Sequence, residues 1–382
     1  MPFSENRILV VVPFAFHRES GSSLSTFYRV SALADLCSRI DVITTPHGRS
    51  VDIVNVSIRR FPSIKLFRNY EPGQYFKKLM YEPFLFFGTL YWLIIRRFDV
   101  VIVHGSSIYW AFLIHKLFKA RFIATVHGNI ETELDKWGIS KSRMIKRISA
   151  KIENKILDSF SFIIAEHDEV KNILVRGNVE PNKIKVIRIC VKNVDRFVKM
   201  NYDDWFIVLY TGTFVKVQNL DLLYRTASLL KNEKIRFILI GGTSHEIETE
   251  KIKVERYGVS EIVTLLPRMQ QKYLESYYRN ADIVVSPRVF GHDTPMKIFD
   301  YLNYGKCIVA TNKPIHSGIL NNNVSHLVEP KPECFAEKIR ELFFNYDLIL
   351  RTSIKAKDFF VENFDFKIMV KAYKEVLHHY SE

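Results

Sequence analysis

The chain has 382 residues, 47% of them hydrophobic, and a net charge of +14. That length suits two domains of about 190 residues each, and that apolar content excludes a disordered polymer. The longest apolar run, Phe84 to Ile95 with Gly88 and Thr89 inside it, falls short of the roughly 20 residues a bilayer span needs. Ile8 to Phe16 contains a proline and reads as a first strand, not a secretory signal.

Charge is unevenly spread. Residues 1–195 carry 29 Lys+Arg against 18 Asp+Glu, net +11, while residues 196–382 carry 26 against 23. The first half suits a negatively charged partner: anionic lipid, nucleic acid or a phosphorylated acceptor. No nucleic-acid recognition module is visible, so no nucleic-acid partner is expected. Cys37, Cys190, Cys307 and Cys334 are far apart, lack metal-ligand spacing and read as free thiols in a reducing compartment.

Arg7 to Val12 is a strand of nearly continuous apolar residues, as in a parallel sheet covered on both faces. A polar loop containing Gly21 follows, then a helix over about Ser25 to Ser38 and a strand over Ile40 to Thr44. A glycine-bearing loop at a strand's C-terminal end is where open α/β sheets bind ligands. It is not GxGxxG, so a dinucleotide reading is weak. Ser57 to Arg60 is a strand, and Phe61 to Lys78 is aromatic and basic. Phe84 to Arg97 is a helix apolar all round. It reads as a core helix, unless the loop before it, with Phe67, Tyr70, Tyr75 and Phe76, touches a membrane surface.

Two strands, Asp99 to His104 and Arg121 to Val126, each lead into a histidine–glycine pair, His104-Gly105 and His127-Gly128. A lone histidine is usually structural, but two at equivalent strand ends suggest that one faces a ligand. Ser140 to Leu157 is an amphipathic helix. Arg143, Arg147 and Lys151 form its basic stripe, and Ile145, Ile148, Ile152 and Ile156 its apolar side. The basic face is either solvated or set against an anionic membrane. Strands at Phe160 to Ala165 and Ile184 to Ile189 bracket a helix from Asp168, and Cys190 to Asp204 read as the crossing between domains.

The second half starts the same way: a strand, Trp205 to Thr211, a glycine loop from Gly212 to Asn219, and a helix to about Leu230. Further strands are placed at Arg236 to Ile240, Ile262 to Leu266, Ile283 to Val285, Cys307 to Thr311 and His326 to Val328, and three helices close the chain. In the stretch Val285 to Thr311, Thr294 is a suitable N-cap, Pro295 suits the first helical position and Gly305 suits the residue after the end. Such a helix start after a strand can hold a phosphate. Lys297 and Asp300, three residues apart, would lie on one face. The plainer reading is a capped αβ unit with a local Lys297–Asp300 pair.

The second half resembles the retaining GT-B glycosyltransferases of the GT4-type group (glycosyl transferases group 1). The resemblance rests on Tyr210-Thr211-Gly212-Thr213-Phe214, Asn219-Leu220-Asp221-Leu222-Leu223, Ile238-Leu239-Ile240-Gly241-Gly242, Tyr277 to Pro287, and Thr294-Pro295-Met296-Lys297-Ile298-Phe299-Asp300-Tyr301-Leu302 through Ala310-Thr311. The first half matches more loosely, at Pro13, the Gly21 loop, His104-Gly105 and Thr125-Val126-His127-Gly128.

The family implies an α/β chain of the GT-B fold: two Rossmann-like domains whose parallel sheets face each other across a cleft. Residues 1–193 would bind the acceptor and 194–362 a nucleotide sugar, with 363–382 a helix packing back toward the first domain. A retaining transfer needs neither metal nor cofactor when cations and dipoles hold the departing diphosphate. On the family pattern His127 lies near the transferred sugar, Gly21 closes on the diphosphate, Gly291 to Thr294 line the sugar, and Asp300 binds the ribose.

His292 with Asp293 stand where the first glutamate of the family's acidic pair is usual, and Asp300 replaces the second. Thr213, Gln218 and Asn219 replace the usual arginine, lysine and glycine. The cations left are Lys216, Arg268, Arg288 and Lys297, with Lys297 favoured. Expected catalytic residues are therefore His127, Lys297 and Asp293, and expected donor-binding residues are Gly21, Gly212, Thr213, Lys216, Gly241, Arg268, His292, Thr294 and Asp300. The expected partners are a nucleotide sugar, a saccharide or polyprenyl-linked acceptor, and an anionic membrane surface met by the basic half. The expected place is the cytoplasm, at the inner face of the membrane, in cell-surface glycan synthesis. The alternative is a catalytically weakened GT-B protein that serves as a binding or scaffold partner.

Overall fold

The computed structural model describes residues 6–16, 21–48, 50–61, 80–128, 130, 142–194, 205–290 and 295–378. The chain divides into two compact units, Met1–Cys190 with Phe366–Glu382, and Val191–Asp365.

The first unit is a seven-stranded parallel sheet built from β1 (Arg7–Val12), β2 (Arg39–Thr44), β3 (Val56–Arg60), β4 (Val100–His104), β5 (Arg121–Val126), β6 (Phe162–Ala165) and β7 (Ile184–Val186). Their order is β3-β2-β1-β4-β5-β6-β7. Alternation along β1 shows why both faces are covered. Ile8, Val10 and Val12 enter one core, while Leu9 and Val11 enter the other. The first core is closed by α1 (Gly21–Ala34), the second by α2 (Glu82–Ile95), α3 (Ser107–Ile114), α4 (Arg143–Asp158) and α5 (Asp168–Arg176).

The second unit holds β8 (Phe206–Thr211), β9 (Ile235–Gly242), β10 (Val263–Pro267), β11 (Ile283–Ser286), β12 (Cys307–Thr311) and β13 (His326–Val328), all parallel, in the order β10-β9-β8-β11-β12-β13. Its helices are α6 (Leu220–Leu229), α7 (Ser244–Arg256), α8 (Gln271–Asn280), α9 (Lys297–Asn303), α10 (Pro314–Ser317), α11 (Pro332–Phe344) and α12 (Tyr346–Phe364). The chain then re-enters the first unit as α13 (Phe366–His378), which packs on α1 and puts Met369, Tyr373 and Val376 into its core. In both sheets the strand order reverses at the first strand, between β2 and β4 or between β9 and β11. That is the place where open α/β sheets form ligand crevices beyond their C-terminal edges. The two Rossmann-like sheets expected from the sequence are therefore present.

Three local expectations fail. Helix α1 opens at Gly21, not at Ser25, so Gly21 is a helix-start residue; residues 17–20 before it lie outside the described residues. Helix α9 begins at Lys297 and has only seven residues, with Met296 already in the α region before it. It therefore lacks the length for a substantial N-terminal dipole. Helix α4 turns Ile145, Ile148 and Ile152 to solvent, and is held instead through Leu157 and Glu153, whose carboxylate accepts from Tyr109 Oη at 2.8 Å. The aromatic loop before α2 lies largely outside the described residues. Among the described residues no helix is long and apolar enough to cross a membrane.

Candidate functional site

In the second unit, Gly212, just after β8, and Gly241, near the end of β9, meet backbone to backbone. Gly212 and Gly241 have φ of +141° and +132°, and a Cβ on Gly241 would lie 2.2 Å from the Gly212 carbonyl oxygen. Only glycine fits such a contact at such a φ. It leaves the sheet edge bare of side chains at this point.

Lys297 lies against that bare edge. Its Nζ is 3.7 Å from the centroid of the Tyr210 ring, donates to Gln218 Oε1 at 3.1 Å, and would be 2.8 Å from a Cβ on Gly212. The residue is 8% exposed, and among the described residues no carboxylate is its partner. Burial, and then the Arg288 guanidinium, push its pKa well below that of an ordinary lysine. The ring face offers the ammonium partial compensation. A buried amine with no carboxylate partner among the described residues gains its charge most readily when an anion arrives beside it.

Asp300 is not the partner of Lys297, and the local Lys297–Asp300 pair of the plainer reading is not made. Lys297, the first residue of α9, turns toward Gly212, while Asp300 turns toward Gln271 at the start of α8. Burial pushes the Asp300 carboxyl up to about 7, against the opposing effect of the Gln271 hydrogen bond. It therefore sits near the midpoint of its titration at neutral pH.

The other expected donor-binding residues divide. Thr213 is at the same edge, its carbonyl accepting from Tyr210 Oη at 2.9 Å. Lys216 and Arg268 are exposed, Lys216 on the 3-10 turn Lys216–Gln218 and Arg268 just beyond β10. His292, Asp293 and Thr294 lie outside the described residues. Sequence reasoning missed His316. This fully buried imidazole ties β11 to β12, with Nε2 2.8 Å from Ser286 Oγ and Nδ1 2.9 Å from Thr311 Oγ1. Burial pushes its pKa to about 4, so it is neutral at physiological pH.

In the first unit the strand-end histidines do converge. His104 Nδ1 and His127 Nε2 are 3.3 Å apart and their rings stack. His127 Nδ1 faces Glu166 Oε2 at 2.9 Å. Glu166 follows β6, so the C-terminal ends of three neighbouring strands supply the three side chains. Its other oxygen accepts from Arg29 at 3.0 Å and from Ser25 Oγ at 2.9 Å, and Arg29 also donates to the Ile187 carbonyl at 2.8 Å. Burial alone would raise the Glu166 pKa, but His127 and Arg29 outweigh it and hold the carboxyl well below its usual range. Burial, then His127 and Arg29, push His104 well below an ordinary histidine, so it is neutral. The carboxylate thus fixes a proton on His127 Nδ1. The strand-end rule that picked out His104 and His127 would have found Glu166 had it been applied to β6 as well.

Among the described residues no group of three or more His, Cys, Asp and Glu side chains is placed to hold a metal ion. Two polar centres thus stand at the C-terminal edges of two parallel sheets, one in each unit.

Comparisons with known proteins agree on the class. Residues 191–359 match the family described as Glycosyl transferases group 1, and residues 20–192 match Glycosyltransferase Family 4. D-inositol 3-phosphate glycosyltransferase 2 of Catenulispora acidiphila is 23% identical over 239 residues, which cover 57% of this chain and 50% of that relative. The match thus spans about half of that relative's length. The solved sucrose-phosphate synthase of Thermosynechococcus elongatus superimposes with a TM-score of 0.76 at 15% identity, over 98% of this chain and 99% of that one. HepE of Anabaena, solved with UDP and glucose, gives 0.70 at 12% identity over 97% and 99%.

Proposed function

The chain belongs to the GT-B glycosyltransferases, and from that membership we propose that it transfers a sugar from a nucleoside-diphosphate sugar to a saccharide or lipid-linked acceptor. The observation that supports this reading is Lys297, a buried amine beside Gly212 with no carboxylate partner among the described residues. The dianionic diphosphate of a departing nucleotide supplies the missing charge. Its arrival favours the protonated amine, so the cation is strongest when the leaving group most needs it. In the reaction the bond from the anomeric carbon to the diphosphate breaks, the acceptor oxygen bonds to that carbon, and the acceptor proton passes to the diphosphate.

Retention of configuration, transfer without a metal, and a place in cell-surface glycan synthesis at the cytoplasmic face of a membrane complete the proposal. Asp300 is read as the acceptor for ribose hydroxyls. His127 is read as the residue nearest the transferred sugar, oriented by Glu166. UDP is the first nucleotide to try, since HepE was solved with it.

Thermal unfolding with UDP, GDP and ADP tests the reading. A ligand at 100 times its dissociation constant adds about 2.7 kcal/mol to the native state, an easily read shift. No shift with any nucleoside diphosphate would sink it. Thr213 and Gln218, where cations are usual, favour a second reading as a binding partner of another enzyme. A nucleotide shift with no nucleotide released from any donor sugar would select that one.

A further inference from the structure

Helix α4 wears its isoleucines outward. Ile148 is 49% and Ile152 56% exposed, with Met144 and Ile145 beside them. Three, four and seven residues of spacing put these on one stripe. Arg147, Lys151 and Lys155, also exposed, run alongside. This inverts the usual amphipathic helix of a globular domain, which buries its apolar stripe.

Helix α2 does the same. Phe84, Phe87, Tyr91 and Ile94 form an outward stripe, with Phe87 66% and Ile94 68% exposed, while Leu85 and Leu93 hold the helix to the sheet. Helix α3 packs against both α2 and α4 and adds Leu113, with Leu117 just beyond it. Three adjacent helices on one face of one sheet thus share an apolar outer surface. Patches of this extent on a soluble protein mark an interaction site.

The charge on that face decides the partner. Segments 82–97, 107–119 and 143–158 contain nine lysines and arginines and three carboxylates, Glu82, Glu153 and Asp158. Glu82 and Glu153 are buried and hydrogen-bonded, and Asp158, at the very end of α4, faces Lys183 at 3.7 Å. Glu82 accepts from Ser107 Oγ at 3.0 Å and Trp110 Nε1 at 2.7 Å, and Glu153 accepts from Tyr109 Oη and from the Ile130 amide. Among the described residues the outer stripes of these helices therefore show mainly cations and hydrocarbon. Beside Ile94 and Leu117 opens a hollow of about 820 Å³, edged by Arg96, Arg97, Lys119 and Arg121 against one carboxylate, Asp99. A second copy of this face would set cation against cation. A bilayer bearing anionic headgroups complements both features at once.

We propose that the outer face of α2, α3 and α4 seats the protein on an anionic lipid bilayer, with the isoleucine and aromatic stripes entering the headgroup–acyl boundary and the flanking cations meeting lipid phosphates. This gives a surface to the membrane location proposed above, but it does not depend on sugar transfer. Vesicle binding and nucleotide binding are separate measurements, so either can fail alone.

The test is flotation of the full chain with vesicles of phosphatidylcholine alone, or with about 30% phosphatidylglycerol, at low and high salt. Binding is expected only to the anionic vesicles and to fall at high salt. Ile148→Glu with Ile152→Glu, and separately Arg147→Ala with Lys151→Ala, should each weaken it about tenfold or more. Both pairs are exposed, so the melting temperature should hold in both variants. Absence of binding to anionic vesicles at low salt overturns the proposal. So does full binding by the isoleucine variant, which would mean that charge alone suffices. A lipid-free dimer of the wild type that the isoleucine variant abolishes would assign the face to a second copy instead.

Discussion

Glu166 Oε2 lies 2.9 Å from His127 Nδ1, and the other oxygen of the same carboxylate lies 3.0 Å from the guanidinium of Arg29. One carboxylate therefore sets the tautomer of an imidazole that is partly open to solvent and neutralises a cation that is fully buried.

Glu166→Gln should separate those two duties. The amide can still bond His127 but leaves Arg29 a buried charge without its counterion, so stability should drop by about 3 kcal/mol in urea unfolding. Turnover should fall about 10- to 100-fold, with little change in donor KM, because the imidazole loses its orienting anion. The folded pKa of Glu166 is depressed, so its contribution is complete above the unfolded value of about 4.3 and disappears as pH falls through the folded value. The wild type should thus lose this stability in acid, and the Gln variant should lack that part of the acid slope. Unchanged kcat would show that Glu166 serves the fold alone.

Lys297→Met should raise the melting temperature and weaken UDP binding at least tenfold. At neutral pH the unfolded chain binds a proton at this side chain more readily than the native state does. Native stability therefore rises with pH through the depressed pKa up to the unfolded value of about 10.4. The Met variant should lack that rise. Gln218 Oε1 is the Lys297 partner at 3.1 Å, so a lysine at 218 could not coexist with Lys297 without repulsion. The exchange Gln218→Lys with Lys297→Gln should restore UDP binding to within about tenfold. Calorimetric titration of the single and double variants checks this.

Asp300 should give nucleotide binding a pH dependence near neutrality. With its pKa at about 7, the folded state holds a proton that the unfolded state releases near pH 4, so stability falls as pH rises between those values. Only the deprotonated form offers two acceptors to ribose hydroxyls. UDP affinity should thus improve from pH 6 to pH 8 in the wild type, and Asp300→Asn should bind more weakly and show a smaller improvement over that range. A variant that kept the wild-type pH dependence would remove Asp300 from the ribose site.

Gly241→Ala should cost about 2–4 kcal/mol in urea unfolding and abolish detectable nucleotide binding. Its φ of +132° is strained for any other residue, and the new methyl would overlap the Gly212 carbonyl. Gly258→Ala is the control: its φ is +65°, and no atom lies within 4 Å of the added carbon. It should lose only about 1 kcal/mol, with binding intact.

The sheets were legible because their strands are buried on both faces, and runs such as Ile8 to Val12 and Phe206 to Thr211 have no polar alternation to mislead. Strand ends also pointed to His104 and His127. Direction was not legible. The isoleucines of α4 have the same helical spacing whether they face the core or the solvent, and Lys297 and Asp300 share a spacing but not a target. Glu166 escaped because an acid just before Asp168 and Glu169 looks like one more charge at a helix start. Gln218 read as a lost cation. The folded chain shows Lys297 reaching its side chain from 79 residues away.

The return of α13 to the first unit bears on how the protein is made. Met369, Tyr373, Val376 and Leu377 complete a core whose strands begin at Arg7, and Tyr373 Oη accepts from buried Arg29 at 3.4 Å. On the ribosome, the first unit to be started is the last to be finished. Residues 191–365 can close on themselves while α1 still exposes the surface that α13 will cover. A chain stopped short of Phe366 would carry a complete second unit and a first unit with an open seam. Supplying α13 as a separate peptide should then bind that seam and report, by its affinity, how much of the first unit had already formed.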